Sequence, residues 1–82
     1  SIEIIRLCGK RLSLARKIGE IKARRGLPIE DLKVEEGLRR EVLEKCRFFG
    51  VDAQFGLRLL ELLLDESKRV QRNLVEKGKT DK

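Results

Sequence analysis

Five polar side chains fall where helical periodicity asks for apolar ones: Arg11, Lys22, Glu35, Ser67 and Gln71. At 100° per residue, Ile4, Leu7, Ala15 and Ile18 form one stripe, and Arg11 and Lys22 lie in its middle. These two cations stand about 16 Å apart along that face. A buried cation needs a partner or an anionic ligand. Arg11 is suited to bidentate binding of a carboxylate. The solvent face lies elsewhere, at Arg6, Lys10, Ser13, Lys17, Glu20 and Arg24.

Each of these residues also has a plainer reading. Arg11 and Lys22 can snorkel from a core edge. Glu35, in the first turn of a helix, can compensate the helix dipole. Ser67 and Gln71 can be satisfied polar groups near a helix end, and Asp31 can cap the helix that follows it. Three helices carrying such residues together point instead to a polar cavity inside a helical bundle. The composition narrows its chemistry. The chain has no His, so Ser-His-Asp and Cys-His arrangements and the usual zinc sites are excluded. Ser67 has no evident base to activate it. What remains is anion binding, or a reaction that needs only shape and electrostatic stabilisation of charge separation.

The elements that must position these groups read as three helices. The first runs over residues 2–24 without a capping signal and ends at Gly26 and Pro28. Its pattern is already running at Ile2, which predicts a start further upstream. The second runs from about Lys33 to Phe48 and stops at Gly50, with Leu38, Val42, Cys46 and Phe49 inward and Glu35 on the same stripe. Asp52 caps a third helix that reaches about Glu76, before Gly78. Its stripe is Leu57, Leu60, Leu63, Leu64 and Leu74, continued by Ser67 and Gln71. Residues 77–82 read as a polar, frayed tail. The expected fold is a single all-α domain over residues 1–82. A first helix of about 35 Å overshoots a monomeric globule with a radius of gyration of about 12 Å. An intertwined helical homodimer would cover its apolar face.

At 82 residues the chain sits at the small end of what folds alone. Cys8 and Cys46 have no C-x-x-C spacing and read as small core residues of a reducing cytoplasm, with a disulfide as the alternative. No apolar run suits a membrane span. The net charge of +6 admits nucleic acid, a membrane surface or small anions as partners. The basic residues are spread round the helices and interleaved with acids, without a recognition helix or stacking aromatics, which disfavours nucleic acid. One Asn, two Gln and one Thr beside so many charges is a thermophile-like bias.

Taken jointly, several segments carry a resemblance: Arg11 with Ile18-Gly19-Glu20-Ile21-Lys22, the turn Gly26-Leu27-Pro28-Ile29-Glu30-Asp31, then Glu35, Val51-Asp52-Ala53, and Asp65-Glu66-Ser67 with Gln71. From Ile2 to Arg72 the chain resembles the all-helical (AroQ-type) chorismate mutases. The resemblance implies a cofactor-free rearrangement of chorismate to prephenate in phenylalanine and tyrosine biosynthesis. By position it implies that Arg11 binds a substrate carboxylate and that Lys22 and Gln71 donate hydrogen bonds to the ether oxygen. Glu35 would take the ring hydroxyl with Asp31 close by, and Ser67 would help hold a carboxylate. Catalysis would be differential, because the ether oxygen gains negative charge in the transition state. A 10⁶-fold acceleration would need about 8 kcal/mol.

Two departures stand out. Val34, beside Lys33, occupies a position where the family often has Arg. The family's first helix also starts earlier and carries a second carboxylate-binding Arg across the dimer. An isochorismate-pyruvate lyase of the same fold, a basic helical binding module and a structural helical dimer are the alternatives. Similar domains occur fused to dehydratase, dehydrogenase or aldolase-type enzymes, so a pathway enzyme is a candidate partner.

Overall fold

The computed structural model describes residues 1–80, with side chains through residue 74. Three helices follow one another: α1 (Ile2–Arg25), α2 (Leu32–Phe49) and α3 (Ala53–Thr80). No strand occurs among the described residues, so the all-α expectation holds. Nor is any helix among them long and apolar enough to cross a membrane.

The boundaries follow from capping chemistry. Gly26 takes up φ 63° and ψ 28°, and its N–H returns to the Lys22 carbonyl. The Leu27 N–H reaches the same oxygen at 2.9 Å. These bonds satisfy one of the carbonyls that the end of the helix leaves open, and a residue without Cβ adopts that left-handed backbone at little cost. Gly50 does the same for α2 at φ 69°. At the other ends, Asp31 Oδ1 accepts from the Val34 N–H at 3.2 Å, and Asp52 Oδ2 accepts from the Phe55 N–H at 2.9 Å. Ser1 stands at the N-cap of α1 but makes no side-chain capping bond.

Gly78 does not end the third helix, which continues to Thr80. Glycine within a helix costs only about 1 kcal/mol and stops nothing unless the next turn needs a left-handed residue. Residues 77–80, expected as tail, are therefore helical in backbone, while Asp81 and Lys82 lie outside the described residues.

The chain forms two compact units, one made of Ser1–Ile29 with Asp65–Lys82 and the other of Glu30–Leu64. In the first, α1 buries Ala15 and Gly19 and half-buries Cys8, Arg11, Leu12 and Lys22. The inward face of α1 is thus rotated from the expected stripe. Ile4, Leu7 and Ile18 are exposed, together with Leu14 and Ile21. The physical reason is that α1 has two useful faces. The small residues admit close approach of α3, whereas the large aliphatics form a separate ridge that this single chain leaves uncovered.

In the second unit, α2 and the start of α3 pack through Cys46, Gly56, Leu60 and Leu64, all buried. A Cβ on Gly56 would overlap the Cys46 sulfur and come within 3.3 Å of Val42 Cγ1. The glycine is what lets the two helices touch. Phe49 departs from the expected inward stripe of α2. It is exposed, and its ring meets Phe48 edge-on at 5.0 Å. It is the last helical residue, so nothing further along α2 packs over it. Cys8 and Cys46 are free thiols, half-buried and buried respectively.

Candidate active site

Four of the six singled-out residues share the first unit. Arg11, Ala15, Gly19 and Lys22 follow at spacings of four, four and three on α1, which places them on one face. On α3, Ser67 and Gln71 are four apart and continue the line of Leu60 and Leu64. The two faces meet at Gly19 and Gln71: a Cβ built on the glycine would lie 3.0 Å from Gln71 Cγ.

The electrostatic character of this pair of faces is cationic and incompletely satisfied. Arg11 Nε is buried without a hydrogen-bond partner, as is Gln71 Oε1. Burying a polar group unpaired costs about 1–3 kcal/mol, so such groups mark places where a further partner belongs. Gln71 is only 7% exposed, deep for an amide. Lys22 is half-buried, and its Nζ donates to the Ile29 carbonyl at 2.8 Å. An ammonium has three donors, which leaves two to point at a ligand. Ser67 is half-buried on the same face of α3 as Gln71. This set can hold an anion and donate hydrogen bonds to an oxygen. Among the described residues, no group of three or more His, Cys, Asp or Glu is arranged to hold a metal ion.

Asp31 and Glu35 belong to the second unit. Asp31 is exposed, and its carboxylate caps α2 as described above. Glu35 is 5% exposed, unusual for a first-turn acid, which normally faces water. Arg39, one turn on, presents Nη2 at 3.9 Å from Glu35 Oε1 and at 2.8 Å from Glu61 Oε1. Arg39 Nε also donates to Glu61 at 3.0 Å. A half-exposed guanidinium thus stands between a buried carboxylate on its own helix and a solvated one on α3. Val34, at the position expected to carry family arginine, is exposed. The spacing of Arg39 four residues after Glu35 was the available signal for this ion pair. Its second partner, Glu61, could not be inferred without the α2–α3 register.

Two further ion pairs are local and reach solvent. Arg6 pairs with Glu3, and Arg69 with Glu66, each three residues apart. In both pairs the side-chain hydrogen bond pulls the carboxyl below its usual range and raises the guanidinium. Neither lies on the face that carries Arg11 and Lys22.

Comparison with known proteins identifies the family. The family described as chorismate mutase type II matches residues 2–72. A chorismate mutase of Methanocaldococcus jannaschii is 30% identical over 74 residues, which cover 90% of this chain and 75% of that one. No solved structure matches at comparable significance. With the match running through all three helices and across the Arg11–Lys22 and Ser67–Gln71 segments, the chain belongs to the type II chorismate mutase family.

Proposed function

We propose that this chain rearranges chorismate to prephenate, with the first-unit face of Arg11, Lys22, Ser67 and Gln71 holding the reacting ether. The observation that supports this most directly is the family match across the two segments that carry those residues. The reaction breaks a C–O bond while a C–C bond forms in the same molecule, so no nucleophile, proton relay or cofactor is needed. Negative charge grows on the ether oxygen as its bond lengthens. Lys22, with two donors not used on Ile29, and Gln71, with its amide N–H₂, answer that charge more strongly in the transition state than in the ground state. Arg11 takes a carboxylate, assisted by Ser67. Glu35 accepts the ring hydroxyl, and Asp31 acts beside it while capping α2.

In this reading residues 1–82 form one catalytic domain, and two copies assemble. The support is the ridge on α1: Ile4, Leu7, Arg11, Leu14, Ile18 and Ile21 alternate at spacings of three and four, the seam pattern of paired helices. All five aliphatics in it are exposed. A second chain laid along this ridge removes them from water and closes the Arg11 end of the site. A separate enzyme of the same pathway is the further candidate partner.

The test is direct. Incubated with chorismate, the chain should deplete the substrate's absorbance and yield prephenate, identified by mass and by acid conversion. Release of pyruvate would favour the lyase reading. Tight chorismate binding without product would leave a binding role. Sedimentation in the same buffer should give twice the chain mass.

A further inference from the structure

We infer that Gly19 is a positioning residue for the reaction: the missing side chain at this position sets the place of the Gln71 amide. The inference rests on the reading of Gln71 as a donor to the ether oxygen. Two observations carry it. First, a Cβ on Gly19 would stand 3.0 Å from Gln71 Cγ and 3.2 Å from both its Cα and its Cβ. One of those atoms is backbone, so rotating the glutamine cannot relieve the crowding; α3 itself must move by a few tenths of an ångström. Second, Gln71 Oε1 is buried with no hydrogen-bond partner, so no bond at that oxygen fixes how the amide is turned. Its orientation is then set by what it packs against, and the bare backbone of Gly19 is a surface of α1 that it packs against.

Two other helical glycines sharpen the contrast. Gly9 on α1 and Gly37 on α2 have nothing within 4 Å of an added Cβ. Neither is held by packing, so replacing each with alanine favours the helix without moving it. Gly19 is confined by Gln71 and by no other residue among its three nearest atoms. A displacement of a few tenths of an ångström matters for a donor whose work is done at one oxygen. Misplacement by about 1 Å costs on the order of 100-fold in rate, and a smaller shift costs proportionately less.

A double-mutant cycle on the full chain distinguishes positioning from simple damage. Parent, Gly19→Ala, Gln71→Ala and the double variant are made in a Gly9→Ala/Gly37→Ala background. That background keeps the helices stable and is first checked to retain parent turnover. Rates are normalised to the folded fraction from far-UV circular dichroism. Gly19→Ala should lower kcat by about tenfold with KM changed less than about twofold, because the lost contact belongs to the transition state. In the Gln71→Ala background, the same change should lower kcat no further. Two results overturn the inference while leaving Gln71 as the donor: parent kcat in Gly19→Ala, or an equal loss from Gly19→Ala in both backgrounds. If Gln71→Ala itself turns over like the parent, the reading of Gln71 falls and takes the inference with it. That outcome is told apart from the first two by the Gln71→Ala rate alone.

Discussion

The Lys22 ammonium donates to the Ile29 carbonyl oxygen at 2.8 Å, across the turn that closes α1. One donor is thereby committed to holding the side chain in place, and in the proposed mechanism the other two serve the substrate. Lys22→Ala should lower kcat by at least about 100-fold, the scale of losing one preorganised oxyanion donor. Helix content by circular dichroism should stay at the parent level. Lys22→Ala with parent turnover would refute the mechanism.

In the proposed mechanism Gln71 donates through an amide, which does not titrate. Gln71→Glu replaces it with a group that donates only when protonated and that, when ionised, adds negative charge beside the oxygen where charge develops. The variant's rate should therefore fall as pH rises, along the titration of the new carboxyl. Burial at that position favours its neutral form and moves this titration upward. The parent should lack this limb. A pH–rate profile from pH 4.5 to 8 on both proteins, in about 0.1 M buffer salt, decides it.

Asp31 and Asp52 cap α2 and α3 with similar bonds of 3.2 and 2.9 Å. Either, changed to alanine, should cost about 1 kcal/mol of stability. Only Asp31→Ala should also reduce turnover, since Asp52 has no part in the proposed site. Thermal melts and chorismate assays on the two variants separate capping from substrate contact.

Gly56→Ala should destabilise, because its methyl would overlap the Cys46 sulfur. Overpacking of this kind costs about 1–3 kcal/mol, against a helix-propensity gain of up to about 1 kcal/mol. Cys46→Ala in the same chain removes the obstructing sulfur, and the double variant should melt above Gly56→Ala alone.

The Glu3–Arg6 and Glu66–Arg69 pairs predict a window for acid effects. Their arginine partners hold both carboxyls below the usual glutamate range, so what they contribute is present above that range and is lost only as pH falls through the lowered folded-state values. Both side chains reach solvent, Glu3 more than Glu66. Glu3→Gln and Glu66→Gln should leave the melting temperature at pH 7 nearly unchanged, as is usual for surface ion pairs.

Much of the fold could be read from local chemistry. Gly26, Gly50, Asp31 and Asp52 mark the helix ends within about a residue, because capping depends on near neighbours. The polar residues on helical stripes could be read because periodicity is local too, and Glu35 and Gln71 are indeed buried. What escaped was whatever depends on how helices approach. The inward face of α1 is chosen by small residues, Ala15 and Gly19, and not by its largest aliphatics. Two residues of that kind at a spacing of four were the visible hint. Phe49 was read as core from its phase alone, yet it lies at the end of its helix, beyond the last packed turn. The closer partner of Arg39, Glu61, could not be read because it lies far along the chain.

The buried apolar side chains among the described residues are Ala15, Cys46, Leu60 and Leu64, and none of the large ones is completely enclosed. So thin an interior ties folding to encounter in the proposed assembly. Melting temperature should climb with protein concentration, since chains that lack a covering copy are the ones that unfold. Dilution would then act on this enzyme as a denaturant does, lowering turnover per chain. The amount of protein a cell holds would set the fraction that works.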